Sequence, residues 1–524
     1  MSAGAREQRG KGAGETRGQG DKETRRVEVS LSPRLPRSLS QLWALVSLAS
    51  IFVILGLWLI RPHDFWWHVR LGQWIVEHGR LPNTDFFSFT QAGQPWVCQS
   101  WLMEVVLYLL LRLGDLPLVI FCHAVLITAS YGLLLWLNRQ AGGDWRRAAL
   151  ATLAAATTGV ANWNVRPQTI SFLLFALTLY LIGTSGVRHL QGTTPNPEHR
   201  KLWWLPPLFA LWANAHGGFI FGLALLGTAL LARLWAWLRR EERFPTQVLL
   251  VTGFSAAATL LTPLGPGMVE YVLGFFRHPV TRTQNMEFLP PTIRTLDGQL
   301  FFCFLAVWIA LLLVSRYRPT RGESLRLLLF GGLALMSRRN TAWFGLVAAP
   351  TLAASLHCWA VHRGVPGKER VGHPGLNRTL AVLVGLATLL SLPWFRPYLP
   401  LPEWRRAYVS PETPVEAVAF LRSLPQPRRV FHDQGYGSYM IWASPEIPVF
   451  IDTRIELYPP AQWDDYIALS QARYDWLAIL DRYGIDTLLL QRESQQPLIE
   501  AATASPDWER CYEDEQTVIF QREP

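Results

Sequence analysis

Arg61-Pro-His-Asp-Phe-Trp-Trp-His68 follows directly on an apolar run, 41–60. That run is long enough to cross the ~30 Å hydrocarbon core of a bilayer. One carboxylate, two histidines and an arginine therefore stand where a membrane helix emerges, beside paired tryptophans suited to an interfacial belt. Charge at that depth is expensive unless it is used, so Asp64, His63 and His68 mark a candidate site.

Working outward, apolar runs recur at 116–138, 147–164, 167–185, 202–216, 217–238, 246–264, 299–315, 324–338, 341–360 and 377–395. With 41–60 they make about eleven candidate spans of a mainly α, polytopic membrane protein. The run 101–114 is short and carries Glu104 and Arg112, so it reads as an interfacial helix in a first outer loop, 61–115. Half the residues are apolar, and 24 Trp with 26 Phe suit a lipid-anchored chain better than a soluble enzyme. The net charge of +10 does not point to nucleic acid, because the basic residues sit in short clusters between apolar runs. Those clusters (Arg139, Arg146, Arg147; Arg239, Arg240, Arg243; Arg316, Arg318, Arg321, Arg326) fall on one side of an eleven-span topology. By the positive-inside rule that side is cytoplasmic, together with the N-terminus. Residues 1–40, rich in Gly, Arg and Glu, read as a disordered cytoplasmic tail. The five cysteines show no disulfide framework and no metal-ligand spacing.

The same topology brings several polar motifs to the outer face. They are Arg166 and Gln168, Asn214 and His216, and the triplet Arg338, Arg339 and Asn340. The arginines suit a phosphate or pyrophosphate, whose oxygens match a planar guanidinium; snorkelling to lipid headgroups is the plain alternative. His216 suits a substrate contact or a helix–helix hydrogen bond. Asp64 suits a general base, or a helix-end carboxylate paired with Arg61. Asp64 and His68 share a helix face and could hold a divalent metal with further ligands, but no DxD or ExD supplies them and a metal is not favoured. Asp85 reads as a second carboxylate or a turn residue, with the turn preferred; Glu104 reads as a further acidic candidate.

From 399 to 524 the long apolar runs disappear, and a soluble α/β domain on the outer side is expected. Its pattern predicts a helix over 414–424, strands over 429–442 and 448–457, a helix over 476–483, and strands over 486–491 and 517–521.

Together the motifs resemble the GT-C membrane glycosyltransferases, including the protein O-mannosyltransferase, aminoarabinose and galacturonic acid transferase types. The likeness rests on the 61–68 stretch, Pro82-Asn-Thr-Asp-Phe-Phe-Ser-Phe-Thr90, Gly93-Gln-Pro-Trp96 and Trp101-Leu-Met-Glu104. It also rests on Arg166-Pro-Gln168, Trp212-Ala-Asn-Ala-His-Gly217, Arg338-Arg-Asn340, Asp433-Gln-Gly-Tyr-Gly-Ser-Tyr439 and Phe450-Ile-Asp-Thr-Arg454. The resemblance covers most of 41–522 and implies sugar transfer, with inversion, from a polyprenyl-phosphate-linked donor. The acceptor would be a glycan, lipid or protein outside a bacterial inner membrane. It adds Asp433, Asp452 and Arg454 to the candidates, and it implies that Asp64 orients or deprotonates the acceptor. Where that family often has an acidic pair, this chain has His63 beside Asp64. A non-enzymatic transporter, flippase or assembly factor for lipid-linked substrates is the alternative class.

Overall fold

The computed structural model describes residues 39–186, 197–277, 286–365, 372–425, 428–473 and 475–522. Nearly all of the tail expected to be disordered, 1–38, lies outside these residues.

Helix α1 (Leu39–Gly56), α2 (Phe65–His78) and α3 (Trp101–Gly142) begin the fold. Helix α3 is broken at Gly114 and Asp115, whose backbone leaves the helical region, with Asp115 at φ 54°. The break falls where the run 101–114 ends and Pro117 removes a helix donor. Each further apolar run also becomes a helix, among them Trp145–Gly159, Thr169–Gly186, Phe219–Leu238, Leu296–Val314 and Thr341–His362. Among the described residues five helical segments are long and apolar enough to cross a membrane: α1, α3, Phe219–Leu238, Leu296–Val314 and Arg338–His362.

Several helices are shorter than their apolar runs, for a consistent reason. The run 147–164 stops at Gly159 and becomes a 3-10 turn over Val160–Asn162. The run 202–216 ends at Ala215, where His216 is extended, and the run 324–338 ends at Met336, where Ser337 is extended. These unwound ends carry the polar motifs. Irregular backbone at such positions needs partners, and it finds them: the amides of Arg338 and Arg339 donate to the carbonyls of Leu289 and Glu287.

Small residues let the helices Trp145–Gly159 and Thr341–His362 pack closely. A Cβ on Gly345 would lie 2.0 Å from Thr158 Oγ1. Around them, Phe172 and Phe221 stack on Trp343 at 5.1 and 5.3 Å between ring centroids.

The C-terminal part contains a four-stranded sheet in the order β1 (Val430–His432), β2 (Thr487–Gln491), β4 (Thr517–Arg522), β3 (Trp508–Glu513). Strand β1 runs parallel to β2, and the other pairs are antiparallel. The helices Val415–Ser423 and Trp476–Tyr483 and the strands β2 and β4 lie where the pattern predicts them. Two expectations are corrected. The strand over 429–442 ends at His432 and turns into the helix Gln434–Ala443. Its glycines serve close packing instead of strand turns: a Cβ on Gly437 would lie 2.1 Å from the Ile451 carbonyl oxygen and 2.7 Å from His432 Cε1. The stretch 448–457 forms no strand of the sheet. It runs along the first loop, with Val449 N donating to Phe87 O and Phe89 N to Val449 O. Strand β3 and the helices Pro460–Ser470 and Gln496–Ala504 were not anticipated.

Gly437→Ala is expected to destabilise the protein by about 1–3 kcal/mol, because the clashing partner is backbone and cannot rotate away. Thermal unfolding of the purified variant checks this; an unchanged midpoint would contradict the packing argument.

The C-terminal part and the stretch 61–115 share one apolar core, in which Trp66 meets Tyr439 at 5.0 Å. Trp67 Nε1 donates to Thr453 Oγ1 at 3.0 Å, and Thr90 Oγ1 donates to Phe450 O at 2.7 Å. Arg454 is buried between Asp85 and Asp452, at 2.6 Å from each, with Trp96 and Phe87 against its guanidinium. The Tyr458 hydroxyl donates to Asp452 at 2.6 Å.

Candidate active site

One cavity of about 1160 Å³ gathers most of the candidates. His63, Asp64 and His68 reach it from the start of α2, and Glu104 from the start of α3. Arg166, Gln168, His216, Arg339 and Asn340 reach it from the unwound helix ends, and Arg454 from the C-terminal part. Ile220, Phe221, Val272, Leu333, Met336 and Trp343 give it an apolar stretch of wall.

Asp64 occupies the N-cap position of α2 yet makes no capping hydrogen bond. A capping Asp would bind the first free amides; here the carboxylate instead faces Arg166 Nη1 at 3.2 Å. The Thr453 hydroxyl also binds it. Burial pushes the Asp64 carboxyl up, but Arg166, His68, Thr453 and His63 outweigh it and hold it below its ordinary 3.8. Asp64 is thus ionised at neutral pH, and its ion pair is lost only as pH falls through that lowered value.

Arg166 also binds Glu287, Nη2 to Oε1, at 2.9 Å. Glu287 lies 3.9 Å from Arg339 Nη1, and Arg339 Nη2 donates to Gln168 Oε1 at 2.6 Å. Burial raises the Glu287 carboxyl, yet Arg166 and Arg339 hold it below the usual value. Two guanidiniums and two carboxylates therefore alternate along one wall. Gln99 Nε2, Arg166 Nε and Gln168 Nε2 are buried at this cavity without a partner among the described residues.

His216 Nδ1 accepts from Gly218 N at 2.9 Å and contacts Ser171 Oγ at 2.8 Å. Burial, with Arg339, Arg166 and His68 nearby, keeps it neutral, well below the ordinary imidazole value. Glu456, on the opposite wall, is raised by burial and accepts from Tyr271 OH at 3.2 Å.

Other candidates fall outside the cavity. Arg338 turns away and grips Asp297 with two hydrogen bonds of 2.8 Å, so of the two neighbouring arginines only Arg339 faces the site. Asn214 ties helices together, accepting from Trp101 Nε1 and donating to the carbonyls of Ala210 and Leu261. Asp85 closes a turn by accepting from the amides of Phe87 and Ser88 and pairs with Arg454. Asp452 belongs to the same buried network. Asp433 caps the helix Gln434–Ala443 through the Gly435 amide.

Glu287 and Glu456 are the cavity carboxylates that the sequence did not single out. Glu287 pairs with Arg166 and lies near Arg339, and Asp297 pairs with Arg338, so acids between the apolar runs meet these arginines. Among the described residues no three His, Cys, Asp or Glu side chains converge as metal ligands. Asp64 meets a guanidinium and His68 Nδ1 meets Glu104, so this donor set does not fit a divalent cation.

Arg166→Gln should raise the pH at which Asp64 protonates, since the main group opposing its desolvation is gone. Infrared difference spectra of the carboxyl band, with Asp64→Asn as the blank, follow it; an unmoved titration would show that Arg166 does not govern the charge.

No protein-family model matches this chain, and no curated protein matches it in sequence. Solved structures do resemble it. The archaeal oligosaccharyltransferase AglB from Archaeoglobus fulgidus, in complex with an inhibitory peptide and a dolichol-phosphate, aligns with a TM-score of 0.52 and 12% identity over 93% of this chain and 75% of that one. The apo form of the Archaeoglobus fulgidus oligosaccharyltransferase aligns with a TM-score of 0.51 and 12% identity, over 92% and 74%. ArnT from Cupriavidus metallidurans bound to undecaprenyl phosphate gives 0.48 and 13%, over 92% and 97%. The chain shares the fold of the Archaeoglobus fulgidus oligosaccharyltransferase.

Proposed function

We propose that this chain is an integral-membrane glycosyltransferase that moves a sugar from a polyprenyl-phosphate carrier to an acceptor outside a bacterial cytoplasmic membrane. The observation that carries the reading is the composition of this cavity. Paired guanidiniums and an ionised carboxylate adjoin an apolar wall built from helix residues. A phosphate with a long hydrocarbon tail matches both halves at once. AglB, which shares the fold, has been solved with a dolichol-phosphate.

In this reading the tail lies along Ile220, Phe221, Leu333 and Met336, and the phosphate lies at Arg166 and Arg339. The acceptor oxygen or nitrogen attacks the anomeric carbon from the face opposite the phosphate, which inverts its configuration. The bond from that carbon to the phosphate oxygen breaks, and its electron pair leaves on the phosphate. Fixed guanidiniums meet that growing charge without having to reorganise. Asp64, anionic beside the reacting carbon, stabilises the positive charge that develops on the sugar. The N-terminus and the arginine clusters face the cytoplasm, and the C-terminal part covers the outer side.

The test is release of free polyprenyl phosphate from a panel of polyprenyl-phospho-sugars by purified protein, with Arg339→Ala in parallel. At least one donor should be cleaved, and Arg339→Ala should lower kcat/KM for it about 10- to 100-fold through weaker phosphate contact. Binding of the donors with no release from any of them would refute the enzyme reading.

A further inference from the structure

We propose that His68, held by Glu104, takes the acceptor's proton, so that the working base is a carboxylate–histidine pair and Asp64 serves the sugar; this rests on the glycosyl-transfer reading above. Both oxygens of buried Glu104 are engaged. Oε1 lies 2.9 Å from His68 Nδ1, and Oε2 accepts from Cys98 Sγ at 3.0 Å. Burial and the neighbouring Glu104 charge push the Cys98 thiol well up, so it stays a donor. An ionised carboxylate only accepts, so Nδ1 carries the ring proton. The lone pair is then on Nε2, for which the described residues supply no hydrogen-bond partner, on a ring that lines the cavity.

Asp64 stands four residues earlier on the same helix face. The other charged or titratable groups around the ring are His63 on the same turn, Glu104 and Cys98 from the start of α3, and Arg166 and His216 from the opposite helix ends. Asp64 is poorly placed to accept a proton, because doing so would break its contact with Arg166. His68 pays no such penalty: its imidazolium would gain a charge-paired contact to Glu104. The step balances. The acceptor's O–H or N–H proton passes to Nε2, the acceptor bonds to the anomeric carbon, and the phosphate departs with the electron pair of the broken bond. Glu104 touches no substrate and is a positioning residue, fixing which ring nitrogen is free.

Hydrolysis of a cleavable undecaprenyl-phospho-sugar, with water as acceptor, provides the assay, and sodium azide provides a nucleophile that arrives already deprotonated. His68→Gln should lose about 10²–10⁴-fold in hydrolysis. Azide should restore phosphate release, with glycosyl azide as the product, which a misfolded site would not do. Glu104→Gln should lose less and be restored likewise, whereas Asp64→Asn should stay slow with azide. A His68→Gln enzyme that hydrolyses at the wild-type rate, or that azide does not restore, overturns the assignment. So does restoration of Asp64→Asn instead. Wild-type protein that cleaves no donor overturns the functional reading itself, which is a separate result.

Discussion

Asp64→Asn is expected to lower kcat about 10²–10³-fold, the usual cost of removing one preorganised electrostatic contact to a transition state. The substitution keeps the shape of the side chain and an oxygen for Arg166 and Thr453, so the fold should survive. What it removes is the negative charge. Arg166 is then balanced by Glu287 alone and is freer to meet a phosphate, so KM for the donor should stay level or fall while kcat drops. That split is informative, because loss of ground-state binding would raise KM at constant kcat. Steady-state kinetics in detergent or nanodiscs decides it. Full retention of kcat would remove Asp64 from the chemistry.

Arg454→Ala is expected to cost about 3–5 kcal/mol, the range for breaking a buried ion pair from one side. Two carboxylates, Asp85 and Asp452, would be left buried without their cation, and Trp96 and Phe87 would lose the guanidinium packed on them. Because Asp85 belongs to the stretch between α2 and α3 and Asp452 to the C-terminal part, the damage should be local. Limited proteolysis should cut first within 79–98 and 444–459, while the helical part remains protected. Replacing all three charges together (Asp85→Asn, Asp452→Asn, Arg454→Met) should recover part of the loss. Cleavage appearing first between the long helices would contradict this assignment.

The helical part was legible because apolar length is a coarse, strong signal: every long run became a helix, although among the described residues only five of the eleven expected spans are long and apolar enough to cross a membrane. Where the helices stop was not legible, since Gly159, Ala215 and Met336 lie inside apolar runs and the chain unwinds there to present polar residues to a cavity. At the site, residue type was a good guide and direction was not. Arg338 and Arg339 are neighbours of identical chemistry, yet one reaches Asp297 and the other the cavity. Asn214 and His216 part in the same way, because the helix ends between them. In the C-terminal part, the stretch 429–442 reads as a strand but bends into a helix after His432, with Gly437 needed where that helix touches the Ile451 carbonyl. Nothing in a local pattern announces a contact made so far along the chain.

The hydroxyl of Thr453 on Asp64 also has a consequence in time. Residue 64 leaves the ribosome early, and its partner is among the last parts of the chain to be made. At the usual 5–20 residues per second, roughly 20 to 80 s of synthesis separate the two. During that interval the carboxylate at the start of α2 has no mate from the C-terminal part. On the proposed function, the site would therefore be incomplete until residue 453 has been made and docked, a built-in delay that keeps half-made copies from acting.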